Sequence, residues 1–480
     1  IEGQSKTNFK RTDLGRHNNK KPLLQNVEIS AIGAEGKALA RVDNKVVFVP
    51  WAAPGDIVDI QVTRKRKSYY EGFITQTHKK SPLRIEPFCK YFTTCGGCKW
   101  QHLPYKIQLD AKFQQVKDNL TRIAKIPLPE LMPIVGSEET QFYRNKLEFT
   151  FSNRRWLTKD EMDTDNVNMN GVGFHVPGMF DKVLDVEKCY LQPELSNRIR
   201  NEIRKFAFEN HYTFFDIRNH HGLLRNTIVR NTLDGQWMVI VVFYEDEPDK
   251  ISALLDHLKN TFPEISSLNY IVNQKANDSI SDQEVITYHG KSFLLETMGN
   301  LQFKVGPKSF YQTNSKQAFE LYKIAANFAN LTGNEIVYDL YTGTGTIANF
   351  VAEKSQKVIG IEYIEEAISD ARVNSELNHI ANTVFYAGDM KDLLTEELFA
   401  KHGKPDVIIT DPPRAGMHKD VVETIVNSNA DKIVYISCNP ATQARDLELL
   451  GVKYQVTAIQ PVDMFPHTHH IENVVLLEKK

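Results

Sequence analysis

The chain has 480 residues, 41% of them hydrophobic and 25% charged, which calls for two to four globular domains and excludes a disordered or fibrous protein. No apolar run approaches the roughly 18 residues that cross a bilayer, and the first twenty residues are polar and basic with no apolar signal core, so a cytoplasmic protein without a membrane partner is expected. The net charge of −2 conceals an asymmetry, because residues 1–100 carry 18 Lys and Arg against 9 Asp and Glu while the rest carry 40 against 51.

Residues 1–22 read as a disordered basic tail, low in apolar content and without periodicity. From 23 to 84 short alternating runs (Val27 to Ile29, Gly36 to Val42, Val46 to Val49, Ile57 to Thr63, Gly72 to Thr77) predict five strands, enough for a small barrel of oligonucleotide-binding type. Its rim carries Arg64, Lys65, Arg66 and Lys67 beside Tyr69 and Tyr70. Such a set can hold phosphates and stack on bases, or can be a solvated face over tyrosines that fill the barrel.

Residues 85–299 form a central α/β region. It opens on Cys89, Cys95 and Cys98, a C-x5-C-x2-C group with Gly96-Gly97 inside it, and Cys189 follows far downstream. In a cytosolic chain such a group favours metal ligation over disulfides. Zinc is one possible occupant, although five residues between the first two cysteines is unusual for a zinc ribbon. Lys106 to Ala124 has helical apolar spacing.

From 300 to 480 strands and helices alternate as in a doubly wound parallel sheet, and three predicted strands end in polar residues. Val337 to Leu340 runs into Tyr341-Thr342-Gly343-Thr344-Gly345-Thr346. Val407 to Thr410 ends in Asp411-Pro412-Pro413-Arg414, and Ile433 to Ile436 in Ser437-Cys438-Asn439-Pro440. The glycine turn lacks a third glycine, since Ala348 stands there. With Glu362 and Asp389 at the next two strand ends it suits an adenosine cofactor without pyrophosphate, with S-adenosylmethionine the candidate. Arg414 replaces the aromatic residue that amino-group methyltransferases place after Asp-Pro-Pro.

Cys438 with Glu472 meets the demands of methylation at pyrimidine carbon 5. A thiolate adds to carbon 6, the enolate so formed makes carbon 5 nucleophilic, and a base then removes the carbon-5 proton. His467, His469 and His470 could also be read as metal ligands, but without further ligand spacing.

Together these motifs resemble the RNA uracil-5-methyltransferases, of the 23S rRNA (uracil-5-)-methyltransferase type. The resemblance rests on the barrel, the cysteine group, Phe310-Tyr311-Gln312-Thr313-Asn314, D-L-Y-T-G-T-G, D-P-P-R, S-C-N-P and H-T-x-H-x-E, and spans nearly the whole chain. It implies a TRAM domain at the amino terminus, a [4Fe-4S] cluster on Cys89, Cys95, Cys98 and Cys189, and a Rossmann-like methyltransferase domain at the carboxyl end. It further implies S-adenosylmethionine held by Gln312, Tyr341, Thr346, Glu362, Asp389 and Asp411, with Cys438 as nucleophile and Glu472 as general base. The expected partner is 23S ribosomal RNA, bound by a monomer. Transfer RNA is the alternative substrate, and a non-catalytic RNA-binding assembly factor is the alternative from another class.

Overall fold

The computed structural model describes residues 21–158, 161, 162, 164, 165 and 167–480. They divide into two compact units, one running to residue 84 and the other comprising 34–36 and 85–480. The tail expected at 1–22 lies outside the described residues except for its last two positions.

The first unit is a six-stranded sheet in the order Leu23–Glu28, Ile57–Lys65, Tyr69–Lys79, Lys45–Val49, Ala38–Val42, Ala31–Ile32. Five strands were expected; Ala31–Ile32, at two residues, is too short to show an alternating pattern. Val58, Ile60 and Val62 alternate into the interior, and Val27, Ala40 and Val47 meet them there. Asp56 is buried beneath Arg84, which donates to its carboxylate at 2.6 Å, while the Ala53 and Ser81 N–H groups donate at 2.7 and 2.8 Å. Burial alone would raise this carboxyl group; donation from these three residues outweighs it and holds it below its ordinary range. Arg64 to Lys67 are exposed at the turn between the two longest strands. The tyrosines are not free beside them. Tyr69 packs edge-on against Phe48 at 5.7 Å, and Tyr70 lies against the core with the Lys45 ammonium 4.8 Å from its ring.

The second unit contains a mixed seven-stranded central sheet in the order Ile286–Gly290, Ile265–Val272, Trp237–Phe243, Leu224–Asn231, Lys146–Ser152, Gly171–His175, Val183–Asp185. Trp237–Phe243 is buried along its whole length, which is why it reads as a continuous apolar run. Helices Glu194–Glu209 and Pro248–Thr261 add Ile199, Ile203, Leu254 and Leu258 to its core.

The carboxyl-terminal sheet comprises β1 (Ile336–Leu340), β2 (Lys357–Glu362), β3 (Thr383–Ala387), β4 (Val407–Thr410), β5 (Lys432–Ser437), β6 (Tyr454–Val462) and β7 (Glu472–Lys479), in the order β3-β2-β1-β4-β5-β7-β6. The first five are parallel, as expected of a doubly wound sheet, but β7 inserts antiparallel between β5 and β6. The sheet is therefore mixed. Strand order reverses between β1 and β4, and the crevice beside that switch receives the ends of β1, β2, β4 and β5. The helix predicted near 106–124 spans Tyr105–Ile123, and its Val116 and Leu120 are buried against Leu447 and Leu450 in the core of this sheet. A stretch that precedes the central sheet in sequence thus helps to build the carboxyl-terminal layer.

Candidate active site

The glycine turn leaves β1 with Tyr341 at φ +64°, a conformation costly for an aromatic residue, followed by Gly343 at +55° and Gly345 at +73°. Gly345 starts the helix Thr346–Ala352, and a Cβ there would lie 2.9 Å from that of Ala371. At Gly343, by contrast, nothing lies within 4 Å of where a Cβ would stand, so the turn's backbone faces open space. Glu362, at the end of β2, accepts from the Gly343 N–H at 3.2 Å and from the Ile364 N–H at 3.0 Å. Each carboxylate oxygen keeps a second lone pair. Asp339 is fully buried: Thr342 donates to its Oδ2, and burial first, then Asp411 and Glu362, raise its pKa to about 7 against the pull of the Thr342 hydroxyl and the Ala348 N–H. An open turn beside the spare acceptor capacity of Glu362 leaves room for a ligand that carries a donor. Asp389 caps the short helix Met390–Leu393, accepting from Lys391 N–H at 3.1 Å.

β5 and β7 end at the pair Ser437–Asn473, and one further step in this antiparallel register sets Cys438 alongside Glu472. Both lie in the field of Asp411 from the end of β4. Burial, Glu472 and Asp411 push the Cys438 thiol up to about 11, opposed by Arg414. Glu472 is raised well above the usual carboxylate range by burial and by Asp411, again opposed by Arg414, and burial raises Asp411 to about 7. Two buried carboxylates in one another's field resist ionising together. The Arg414 loop is tied to the nucleophile turn, since Asn439 Nδ2 and Thr442 Oγ1 donate to its carbonyl at 3.0 and 3.2 Å. Tyr322, on the helix Ser315–Ala329, is buried beside Gln312 and shares the field of Asp411, Asp339 and Glu472. Reading the sequence did not single it out, because it looks like one more apolar position of an amphipathic helix.

The loop leading into Glu472 is held from a distance of more than 300 residues in sequence. Lys112 and Asp463 form a fully buried ion pair at 2.6 Å, Tyr105 donates to the same carboxylate at 2.8 Å, and Lys112 also donates to the Phe465 carbonyl at 3.0 Å. Gln108 accepts from the His467 N–H at 2.8 Å, and Asn314 donates to the Met464 carbonyl at 3.0 Å. Burial lowers His467 to about 4, and burial with the neighbouring His469 lowers His470 to about 4; the His469 and His470 rings lie tilted with centroids 4.2 Å apart, and Gln108 contacts His467 Nδ1. These histidines are packing elements of the loop.

Cys89, Cys95, Cys98 and Cys189 come together at the edge of the central core. Burial raises all four, Cys98 to about 12 and Cys189 to about 11, and each of those two also feels Cys89 and Cys95. Asn197 fixes the fourth, accepting from the Cys189 N–H at 2.9 Å and donating to its carbonyl at 3.0 Å. Among the described residues no group of three or more His, Cys, Asp or Glu is arranged to hold a metal ion. A single zinc would need sulfurs about 3.8 Å apart, twice 2.3 Å opened at the tetrahedral angle. Four thiols with no histidine or carboxylate among them have the donor chemistry of zinc or of a cubane, which binds each thiolate at a different corner.

Residues 229–480 match the model of the tRNA (Uracil-5-)-methyltransferase family. The chain belongs to the RNA uracil-5-methyltransferase family. This methyltransferase also carries a TRAM domain, matched over residues 24–74. An uncharacterized RNA methyltransferase of Bacteroides thetaiotaomicron is 60% identical over 452 residues, covering 93% of this chain and 100% of its own. One from Porphyromonas gingivalis is 55% identical, covering 94% and 99%. Among solved structures, the tRNA (uracil-54, C5)-methyltransferase of Pyrococcus abyssi in complex with S-adenosyl-L-homocysteine superposes with a TM-score of 0.72 at 28% identity, over 94% of this chain and 99% of that one. No described helix of the methyltransferase is long and apolar enough to cross a membrane.

Proposed function

We propose that the chain methylates carbon 5 of a uridine in 23S ribosomal RNA through a covalent adduct, with Cys438 as nucleophile and Glu472 as general base. The register that sets Cys438 beside Glu472 carries this reading. Cys438, having released its proton to solvent, would add as the thiolate to carbon 6 of the uracil, forming an S–C6 bond while the C5–C6 electrons move toward O4. Carbon 5 then takes the methyl group, Glu472 accepts the carbon-5 proton, and the returning electron pair expels the Cys438 thiolate. S-adenosylmethionine supplies the electrophilic methyl and leaves as S-adenosylhomocysteine. Gln312, Tyr341, Thr346, Glu362, Asp389 and Asp411 are assigned to holding it. The open side of Gly343 beside the Glu362 carboxylate supports a ligand there. Burial raises both Glu472 and Asp411, and Asp411 adds to the rise of Glu472, so a sulfonium charge arriving nearby would favour their ionised forms and ready the base. The four-cysteine pocket is assigned to an iron–sulfur cluster held by Cys89, Cys95, Cys98 and Cys189, which would tie the segment at 89–98 to the central core.

Transfer RNA is the second reading, favoured by the matched family's description and by the Pyrococcus abyssi enzyme. That match covers 94% of the chain and so extends into the barrel; a barrel does not by itself mark a ribosomal enzyme. Supplying tritiated S-adenosylmethionine with unmodified 23S rRNA or with unmodified tRNA tests both. Label in 5-methyluridine of 23S rRNA supports the first reading, label in tRNA alone the second, and label in neither removes both.

A further inference from the structure

Arg200, on the helix Glu194–Glu209, is fully buried, and nothing in the proposed methyl transfer uses it. Its Nη2 donates to the Glu187 carbonyl at 2.7 Å and to Asn197 Oδ1 at 3.1 Å, but among the described residues Nε and Nη1 have no hydrogen-bond partner. Its guanidinium carbon lies 4.5 Å from the centroid of Phe149, which provides a face and no counter-charge. The two carboxylates in its field are already paired elsewhere, Asp185 with Arg204 at 2.8 Å and Glu187 with Lys90 at 2.7 Å. A buried cation with two idle donors is costly unless an anion belongs beside it. It adjoins the cysteine group at Cys189: Asn197 Oδ1 accepts from both Arg200 and the Cys189 N–H, and Cys189 is the leading charge partner of Arg200.

We propose that Arg200 is the counter-charge of the cysteine-bound cluster, a positioning residue that stabilises its anionic state; this rests on assigning the pocket to an iron–sulfur cluster. Four thiolates around an oxidised cubane core of charge 2+ carry a net charge of 2−, and one-electron reduction takes them to 3−. A fixed cation favours both states over the empty pocket and the more negative state over the less negative one. As thiols the cysteines offer Arg200 no such partner, which accounts for the idle donors. Asn197 couples the two, holding the guanidinium with the same oxygen that holds the backbone of Cys189.

The test compares anaerobically purified wild type, Arg200→Lys and Arg200→Met by iron content, iron loss to a chelator and a dithionite-titrated midpoint followed by electron paramagnetic resonance. Lysine, which keeps the charge, should retain about four irons and a midpoint near wild type. Methionine should shift the reduction equilibrium at least about tenfold toward the oxidised cluster, a midpoint lower by about 59 mV, or lose iron while lysine retains it. Methionine with wild-type iron retention and midpoint, or lysine and methionine failing alike, overturns the role of Arg200. Wild type without iron overturns the cluster assignment itself, a separate failure read before any variant is compared.

Discussion

Two pockets of this protein bury thiols, and the charges around them differ in sign. Cys438 lies among acids: Glu472 and Asp411 add to burial in pushing it up to about 11, and the one opposing cation, Arg414, is exposed. Cys189 is pushed equally high by burial, but beside it stands a buried arginine with unused donors. A thiol among carboxylates stays protonated until a positive or electrophilic partner arrives, which suits a nucleophile that must act only on bound substrate. Thiols beside a fixed cation are prepared for lasting negative charge, which suits ligation. The same burial serves two chemistries because the neighbouring charges differ.

The largest expected effect breaks the acidic pocket. Cys438→Ala should lower turnover by roughly 10⁴-fold or more while cofactor affinity changes little, since the thiol attacks the base and not the methyl donor. Single-turnover assays beside calorimetric titration of S-adenosylhomocysteine check it, and retained turnover would end the covalent route.

A third buried charge sharpens the comparison, because here the partner is explicit. Lys112→Met leaves Asp463 buried without its cation and should cost about 3–5 kcal/mol in urea denaturation; adding Asp463→Leu should recover part of that loss. A single variant as stable as wild type would mean that the pair does not hold the loop before Glu472.

Glu296 is a buried acid with no cation. Burial raises it to about 7, although Leu233 N–H and Ser315 donate to it at 3.1 and 3.2 Å. Its folded pKa lies above the unfolded one, so the native state holds the proton more tightly. The resulting stability is present below about pH 4.5 and lost as pH rises through about 7. Wild type should therefore lose up to about 3 kcal/mol relative to Glu296→Gln between pH 4.5 and pH 8. Parallel stability curves would show that the carboxyl is not held protonated.

The smallest effect belongs to the exposed charges of the barrel. Neutralising Arg64, Lys65, Arg66 and Lys67 should weaken RNA binding and reduce its log–log salt slope by at most about 4, leaving the maximal rate nearly unchanged. Unchanged affinity and slope would make the turn an ordinary solvated face.

What the sequence disclosed depended on whether chemistry sat at a strand end. The glycine turn, Asp411 and Cys438 each follow a β-branched apolar run, so their common edge could be read directly. The antiparallel insertion of β7 could not, because a strand's direction leaves no mark on its own residues. Nor could the roles of Gln108, Lys112 and Arg200, since polar residues on amphipathic helices look like solvated positions until their partners, hundreds of residues away for Lys112, are in place. The barrel tyrosines, whose pattern suited either stacking or packing, are half-buried, Tyr69 edge-on to Phe48 and Tyr70 beneath Lys45.

The central claim is that Cys438 and Glu472 divide addition and proton removal between them. Glu472→Gln should carry the reaction through methyl transfer and stop, so incubation with RNA and S-adenosylmethionine should accumulate a denaturation-resistant adduct. Mass spectrometry after nuclease and protease digestion should find a methylated uridine nucleotide on the peptide containing Cys438. Absence of an adduct while turnover is lost, or an adduct on another residue, would contradict the account.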